Sequence, residues 1–189
     1  TAVGYNALTA NTTGTNNVAV GYGALDACTT SVSNTCVGNN AGGSITTGNG
    51  ENVCVGNNCG ASMTTAQQNN FIGDNCAGGA TLTGNANTSV GDNSSYALTT
   101  GAQNATIGAQ SFNSLTTGTG NAAVGYAAMY QITTGDYNSA CGRDAGGSLT
   151  TGSNNAFLGQ DAGKSNSPSG AISTASNNIV LGNNNISAL

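Results

Sequence analysis

The stretch Asn17-Val18-Ala19-Val20-Gly21 is one copy of a unit that recurs along the whole chain of 189 residues. The unit is an Asn, a variable residue, a residue that is usually small, a β-branched or aliphatic residue, and a Gly. Neighbouring glycines of the unit are 17 or 18 residues apart as far as Gly159, and the last step, to Gly182, is 23 residues. A period of this size, kept along the whole chain, indicates a solenoid or a related repeat array.

Two positions define the register of the repeat, because the Asn stands four residues before the Gly. This spacing is seen in Asn17 and Gly21, Asn34 and Gly38, Asn52 and Gly56, Asn104 and Gly108, and Asn121 and Gly125. Gly tolerates positive φ, so the sequence predicts a corner of the chain at each of these glycines. Identical Asn side chains in stacked coils can hydrogen-bond to one another as a ladder.

The unit contains two short runs of β-forming residues, for example 105–107 and 114–117, and a Gly closes each run. A helix is disfavoured, because a Gly in a helix interior costs about 1 kcal/mol. The sequence therefore predicts an all-β fold, a parallel β-solenoid of about ten coils, with a coil spacing of about 4.8 Å. We expect regular repeats over 1–163. We expect an irregular loop around Pro168 and a last coil over 164–189, leading to a further C-terminal region.

The two faces of a strand carry alternate side chains. We assign the residue before each Gly to the coil interior, and the smaller residue two before the Gly to the opposite face. Two or three aliphatic side chains per coil hardly offset a chain entropy of about 1–2 kcal/mol per residue. We therefore expect several copies to associate and bury the second column. The residues assigned to the interior are Val3, Val20, Val37, Val55, Ile72, Val90, Ile107, Val124, Cys141, Leu158 and Leu181.

The composition argues against several classes of partner. Only 5% of the residues are charged, the net charge is −5, and Arg143 and Lys164 are the only basic residues. Nucleic-acid binding requires clustered Lys and Arg, so no nucleic-acid partner is expected. No apolar run approaches the roughly 20 residues that span a bilayer, so no membrane partner is expected either.

The sequence predicts no catalytic residue, no cofactor and no metal site. The chain contains no His, which a serine triad requires, and no short Cys-x-x-Cys, which is typical of zinc sites. Asp74 and Asp92 follow the repeat Gly in adjacent coils, and Asp144 and Asp161 lie one place further on. Stacked carboxylates are able to bind calcium, but a solvated acidic face is favoured because no other ligands are concentrated there. We expect that the chain is not an enzyme.

Four of the six cysteines occupy repeated positions. Cys36 and Cys54 share one position in successive coils, and Cys59 and Cys76 share another. Stacking places the members of each pair about 5 Å apart at Cα, a distance that a disulfide accepts. Disulfides Cys36–Cys54 and Cys59–Cys76 in an oxidising setting are one interpretation. The other is that Cys replaces Ala or Ser as a small packing residue.

Two further features have two interpretations each. Tyr5, Tyr22 and Tyr126 follow the repeat Gly, and they form either a sugar-stacking surface or a ladder of packed rings. The insertion around 164–176 is either a projecting loop that contacts a partner or a cap on the array.

Two copies of the repeat resemble known families. Asn-Val-Ala-Val-Gly-Tyr-Gly-Ala-Leu at 17–25 and Asn-Ala-Ala-Val-Gly-Tyr-Ala-Ala-Met at 121–129 resemble the head repeats of trimeric autotransporter adhesins of the YadA type. Closer still is the Thr-Thr-Gly-x-x-Asn-x-Ala-Val-Gly-Tyr repeat of bacteriophage and algal-virus tail-fibre proteins. The resemblance covers 1–182 and implies a left-handed parallel β-roll with three chains in one rod. The closing stretch, 177–189, is similar to the sequence that leads into the self-cleaving intramolecular chaperone of phage endosialidases and tail spikes.

The resemblance implies a function as well as a fold. It implies a homotrimeric shaft or receptor-binding part of a viral tail fibre, on the virion or otherwise extracellular, that presents a repetitive polar surface to a host glycan. The period near 17 residues favours the fibre over the shorter adhesin unit. The alternatives are a bacterial adhesin head and, because of Thr-Thr pairs such as Thr116-Thr117, an ice-binding β-solenoid.

Overall fold

The computed structural model describes residues 1–183 and residue 185, so the end of the closing stretch lies outside the described residues. The described chain is all-β and contains a single sheet of eleven short parallel strands in sequence order. The strands are β1 Ala2–Val3, β2 Val18–Val20, β3 Thr35–Val37, β4 Val53–Val55, β5 Asn70–Ile72, β6 Thr88–Val90, β7 Ala105–Ile107, β8 Ala122–Val124, β9 Ser139–Cys141, β10 Ala156–Leu158 and β11 Ile179–Leu181.

Equivalent repeat positions lie directly over one another. Ala19 of β2 pairs with Cys36 of β3, and the same register is kept at every step along the sheet. It is kept even across the 23-residue step, where Phe157 of β10 pairs with Val180 of β11. These pairings confirm the parallel β-solenoid that the period predicts.

The prediction of a second strand in each coil is wrong. Residues 114–117 form the end of a turn and a bend, and only the segment between the Asn and the Gly of each repeat forms a strand, although Met63 and Leu82 of two second runs make an isolated parallel bridge. The turn before this run contains Gln110 and Phe112, whose φ angles of 59° and 50° are left-handed and interrupt an extended chain. The chain must reverse its direction within a few residues to return to the sheet, and successive left-handed residues achieve this reversal.

The prediction of which strand face is buried is also wrong. The residue two before each Gly lies in the core, as Ala19 does at 0% exposure, whereas the residue before the Gly faces outward, as Val3 does at 56% and Ile107 at 55%. The interior is already filled by large side chains of the second run, so the strand can contribute mainly small residues. The buried large residues of the second run are Ile45, Met63, Leu82, Leu98, Leu115, Ile132 and Leu149.

Strands β5 and β10 each place a Phe inside, and the corner that faces Phe157 of β10 is formed by Gly. Phe157 lies beneath Gly146 and Gly163, and a Cβ atom on Gly146 would be 2.9 Å from the Phe157 ring. The large Phe157 side chain is thus matched by the lack of side chains at the facing corner, which keeps the interior closely packed there.

The irregular loop packs on the last coil. Ile172 packs against the core, and its backbone N–H donates to the Gly163 carbonyl oxygen over 2.8 Å. Ser167 is buried, and Pro168 borders a small hollow beside Val180. This arrangement favours the cap over the projecting loop.

Candidate functional site

A ladder of Asn side chains runs along the interior of the rod. The backbone N–H of Asn34 donates to Oδ1 of Asn17 over 2.9 Å, and the Asn34 Nδ2 donates to the same oxygen over 3.1 Å. The Asn side chain also crosses the corner, as in the 2.8 Å bond from Asn104 Nδ2 to the Gly118 carbonyl oxygen. The ladder continues to Asn178, so the arrangement expected from the sequence is present in the described chain.

The repeat glycines form a second column, in which backbone lies directly on backbone. Gly21 has a φ of +136°, and a Cβ atom built on it would overlap the carbonyl oxygen of Gly38 in the next coil. Only Gly satisfies both the backbone conformation and the close approach at this corner. The Asn ladder and the Gly column together fix the coil spacing and the register of the rod.

The outward side of the sheet, which we call the outer strand face, contains an apolar column directly before the repeat glycines and a mixed column two places earlier that includes Thr35, Asn70, Thr88 and Ser139. It consists of the residues one and three places before each repeat Gly, and none of these residues is charged. Several are large and open to solvent, including Leu158 at 57% exposure. An exposed apolar stripe of this length is typical of an interaction surface. The size of the residues directly before each Gly predicts that this column of the face lies inside, which the exposure of these residues contradicts. The signal that identifies it is the small size of the neighbouring residue two before the Gly.

Near its C-terminal end, the outer strand face contains a hollow. Val124, Cys141, Leu158, Ile179 and Leu181 are among the residues that line this hollow of about 400 Å³. Cys141 is smaller than the aliphatic residues above and below it in the same column, which opens the space. It is also the one exposed cysteine, since the other five are buried.

The remaining cysteines are free thiols in the core. Cys36 and Cys54 are register partners in β3 and β4, as the repeat predicts. Cys59 and Cys76 occupy equivalent corner positions of successive coils, both completely buried. The two disulfides therefore remain a prediction, with the thiols of each pair close together.

The acidic pairs lie in two different settings. Asp144 contacts Lys164 over 3.3 Å and Arg143 over 3.5 Å, and the same Lys164 lies 3.8 Å from Asp161. Both basic residues thus lie beside this pair of carboxylates, and Lys164 joins the start of the irregular loop to the coils. Across the described residues, no group of three or more Cys, Asp or Glu side chains is arranged to hold a metal ion.

Asp74 and Asp92, the other pair, are exposed. The Asp74 carboxylate accepts a 2.8 Å bond from Asn57 Nδ2 in the preceding coil. Asp92 Oδ1 accepts a bond from the adjacent Asn93 Nδ2 over 3.0 Å. Both carboxylates accept a bond from an Asn and remain open to solvent, so the solvated acidic face stays a prediction.

The turns between the strands form the rest of the surface of the rod, which we call the turn side, and this surface is polar. The first Thr of most pairs bonds along the rod, as in the 3.0 Å bond from the Thr116 hydroxyl to the Thr133 carbonyl oxygen. The second Thr is exposed, as Thr117 is, and forms a column one residue wide. The rings of Tyr5 and Tyr22 stack with centroids 5.3 Å apart and planes at 15°. They also remain exposed, so both interpretations of the Tyr column persist.

Comparisons with protein-family models, with curated proteins and with solved structures find no match to this chain. Among the described residues there is no helix of the length and apolarity that a membrane crossing requires. We therefore infer the function of the chain from the solenoid, its outer strand face and its polar turn side.

Proposed function

We propose that the chain is the shaft of a homotrimeric fibre, on a virion or otherwise extracellular, in which three copies meet along their outer strand faces. Its action is mechanical: it extends a rod and presents a repeated polar surface to a host glycan, without catalysis and without a cofactor. The observation that carries the proposal is the continuous, charge-free apolar stripe on one side of a rod whose turn side is polar.

The size of the stripe supports association. A half-exposed aliphatic side chain leaves on the order of 50 Å² of apolar surface open. The aliphatic column therefore exposes several hundred Å², close to the roughly 800 Å² that each partner buries in a standard interface. The chain carries a net charge of −5, yet no charged residue lies on the outer strand face, so identical copies meet there without repulsion between like charges.

A parallel, rotationally symmetric arrangement suits this geometry. Such symmetry places the same residue of every copy at the same height, so the aliphatic columns face one another along the entire rod. We infer that three chains assemble from the resemblance of the sequence to fibre and adhesin repeats. The solvent side then carries the exposed threonines and tyrosines, whose hydroxyl groups and rings suit hydrogen bonding and stacking with sugars.

Cys141 provides a direct test, because it is the only exposed cysteine and lies on the outer strand face. The purified chain would be measured by native mass spectrometry and then oxidised with diamide, which accepts two electrons and two protons from a pair of thiols. We expect a three-chain mass and, after oxidation, disulfide-linked pairs of chains that are absent in Cys141→Ser. A single-chain mass would refute association. A three-chain assembly without the cross-link would refute the parallel register.

Glycan binding needs its own measurement. The assembled rod would be tested on an array of bacterial and algal surface glycans, with binding expected to weaken when exposed tyrosines such as Tyr22 are replaced by Ala. The adhesin alternative predicts a coiled-coil stalk and a membrane anchor in the flanking sequence, whereas a fibre predicts a chaperone domain.

The exposed threonine column supports ice binding as a second candidate. Regularly spaced hydroxyl and methyl groups along a rigid rod resemble a template for ordered water. Absence of thermal hysteresis in the purified protein would remove this candidate.

A further inference from the structure

Four buried cysteines form a continuous row of thiols. Cys36 and Cys54 are register partners in adjacent strands, Cys59 adjoins Cys54 within one coil, and Cys76 takes the position of Cys59 in the next coil, so that three links join neighbouring thiols. The first and last links join neighbouring coils, whereas the central link crosses the interior of one coil. All four side chains are completely buried. The sequence pattern reveals the two links between coils, and only the fold reveals the central one.

Apart from the insertion around 164–176, the row lies in the least regular section of the rod. Elsewhere the first Thr of each pair donates its hydroxyl to the next coil, as Thr29 does to the Thr46 carbonyl oxygen and Thr99 does to that of Thr116, each over 3.0 Å. Among the described hydrogen bonds, Thr46 and Thr64 make no such bond. Two of the coil steps in this section are 18 residues long, in contrast to the usual 17. The coils that contain the thiols thus lack one of the ladders that hold the other coils together.

We propose that this row is a site of covalent modification, in which a disulfide oxidant of the glutathione class converts it into two bonds between coils, Cys36–Cys54 and Cys59–Cys76. Each bond forms when two thiols lose two protons and two electrons in total. The sulfur–sulfur bond of the oxidant breaks, and two molecules of the small thiol are released. The bonds replace the missing hydroxyl ladder in this section. The modification does not depend on the proposed function.

The geometry favours these two pairs over the central pair. The coil spacing of about 4.8 Å lies within the roughly 4.4–6.8 Å of Cα separation that disulfides span. Each bond between coils closes a loop of a whole coil, which restricts the unfolded chain more than the short loop between Cys54 and Cys59. The central bond would also leave Cys36 and Cys76 without partners. Because the thiols are completely buried, the bonds form while the coils assemble, before the core excludes the oxidant.

The test is to fold the chain in a glutathione redox buffer and, separately, in dithiothreitol. Both samples are then unfolded, alkylated with iodoacetamide and mapped by mass spectrometry. We expect Cys28 to be alkylated in the redox-buffer sample and none of the four thiols of the row to be, with peptides that identify the two bonds between coils, and all six cysteines to be alkylated in the other. Six alkylated cysteines in both samples, or a Cys54–Cys59 bond, would overturn the proposal.

Two double variants separate the bonds from simple packing. Cys54→Ala with Cys59→Ala removes one partner from each bond, and Cys36→Ala with Cys76→Ala leaves only the central pair. The same strand and corner columns contain Ala in other coils, for example Ala123 in β8 and Ala128 in the corner after it, so both variants should fold.

Thermal unfolding with and without reductant provides the stability readout. Reduction should lower the Tm of the oxidised parent chain by roughly 10 °C. It should leave the Tm of the Cys54→Ala, Cys59→Ala variant unchanged. An equal reductant effect on both chains would contradict the assignment of the bonds to these pairs.

Discussion

Replacing Asn104 by Ala tests the ladder that the whole fold depends on. The Asn104 Oδ1 accepts the backbone N–H of Asn121 over 3.0 Å, and its Nδ2 donates to the Gly118 carbonyl oxygen over 2.8 Å. Ala removes these two bonds and the side-chain bonds to the neighbouring Asn residues, and it leaves the buried Asn121 N–H and the buried Gly118 carbonyl without partners. Each such group costs about 1–3 kcal/mol, so the expected loss of unfolding free energy is about 4 kcal/mol. Asn39→Ala is the matched control, because Asn39 is exposed and its substitution should cost less than about 0.5 kcal/mol.

The assay is native-state hydrogen exchange, which measures the opening of individual amides. The Asn121 amide should exchange roughly 100-fold faster in Asn104→Ala than in the parent chain, with the effect declining in coils further away. Urea unfolding followed by circular dichroism gives the global loss. If Asn104→Ala were as mild as Asn39→Ala, or if Asn121 exchanged at its parental rate, the ladder would not be what maintains the register.

Three further perturbations follow from the same geometry. Gly108→Ala puts a Cβ atom into the stacked carbonyl oxygen of the next coil and should cost roughly 4 kcal/mol in urea unfolding. Gly170→Ala, where the Cβ atom meets nothing, should cost about 1 kcal/mol, and equal losses would argue against stacking. Val124→Lys on the outer strand face should give single chains in light scattering with unchanged circular dichroism, whereas Thr117→Lys on the turn side should still associate. Burial raises the pKa of the Cys28 thiol above its unfolded value, so the contribution of this thiol to stability is complete below pH about 8.5 and is lost as pH rises further. The Tm of the reduced parent chain should therefore fall more steeply between pH 7 and 10 than the Tm of Cys28→Ala. Parallel profiles of Tm against pH would contradict this.

The amino-acid sequence determined the architecture of the rod. Residues such as Asn104 and Gly108 recur at nearly constant spacing, and one coil of that length brings each of them over its equivalent in the next coil. The polar side-chain atoms of a buried Asn can hydrogen-bond to an identical Asn one coil away. A Gly at the corner allows the backbone of the next coil to lie in direct contact with it. These requirements repeat locally in every unit. The period alone was therefore sufficient to predict the parallel stack, the Asn ladder and the positions of Cys36 and Cys54 as register partners in neighbouring strands.

The tertiary structure decided which way the strands face. Alternation along a strand defines two faces, but the choice of the inner one depends on how much room the rest of the coil leaves. Leu115 and its equivalents fill that room from the turn side, so Ala123 lies inside and Val124 outside, contrary to the prediction from side-chain size. The same non-local packing brings the thiols of Cys54 and Cys59 together across one coil, because only closure of the coil determines which side chains meet in its interior.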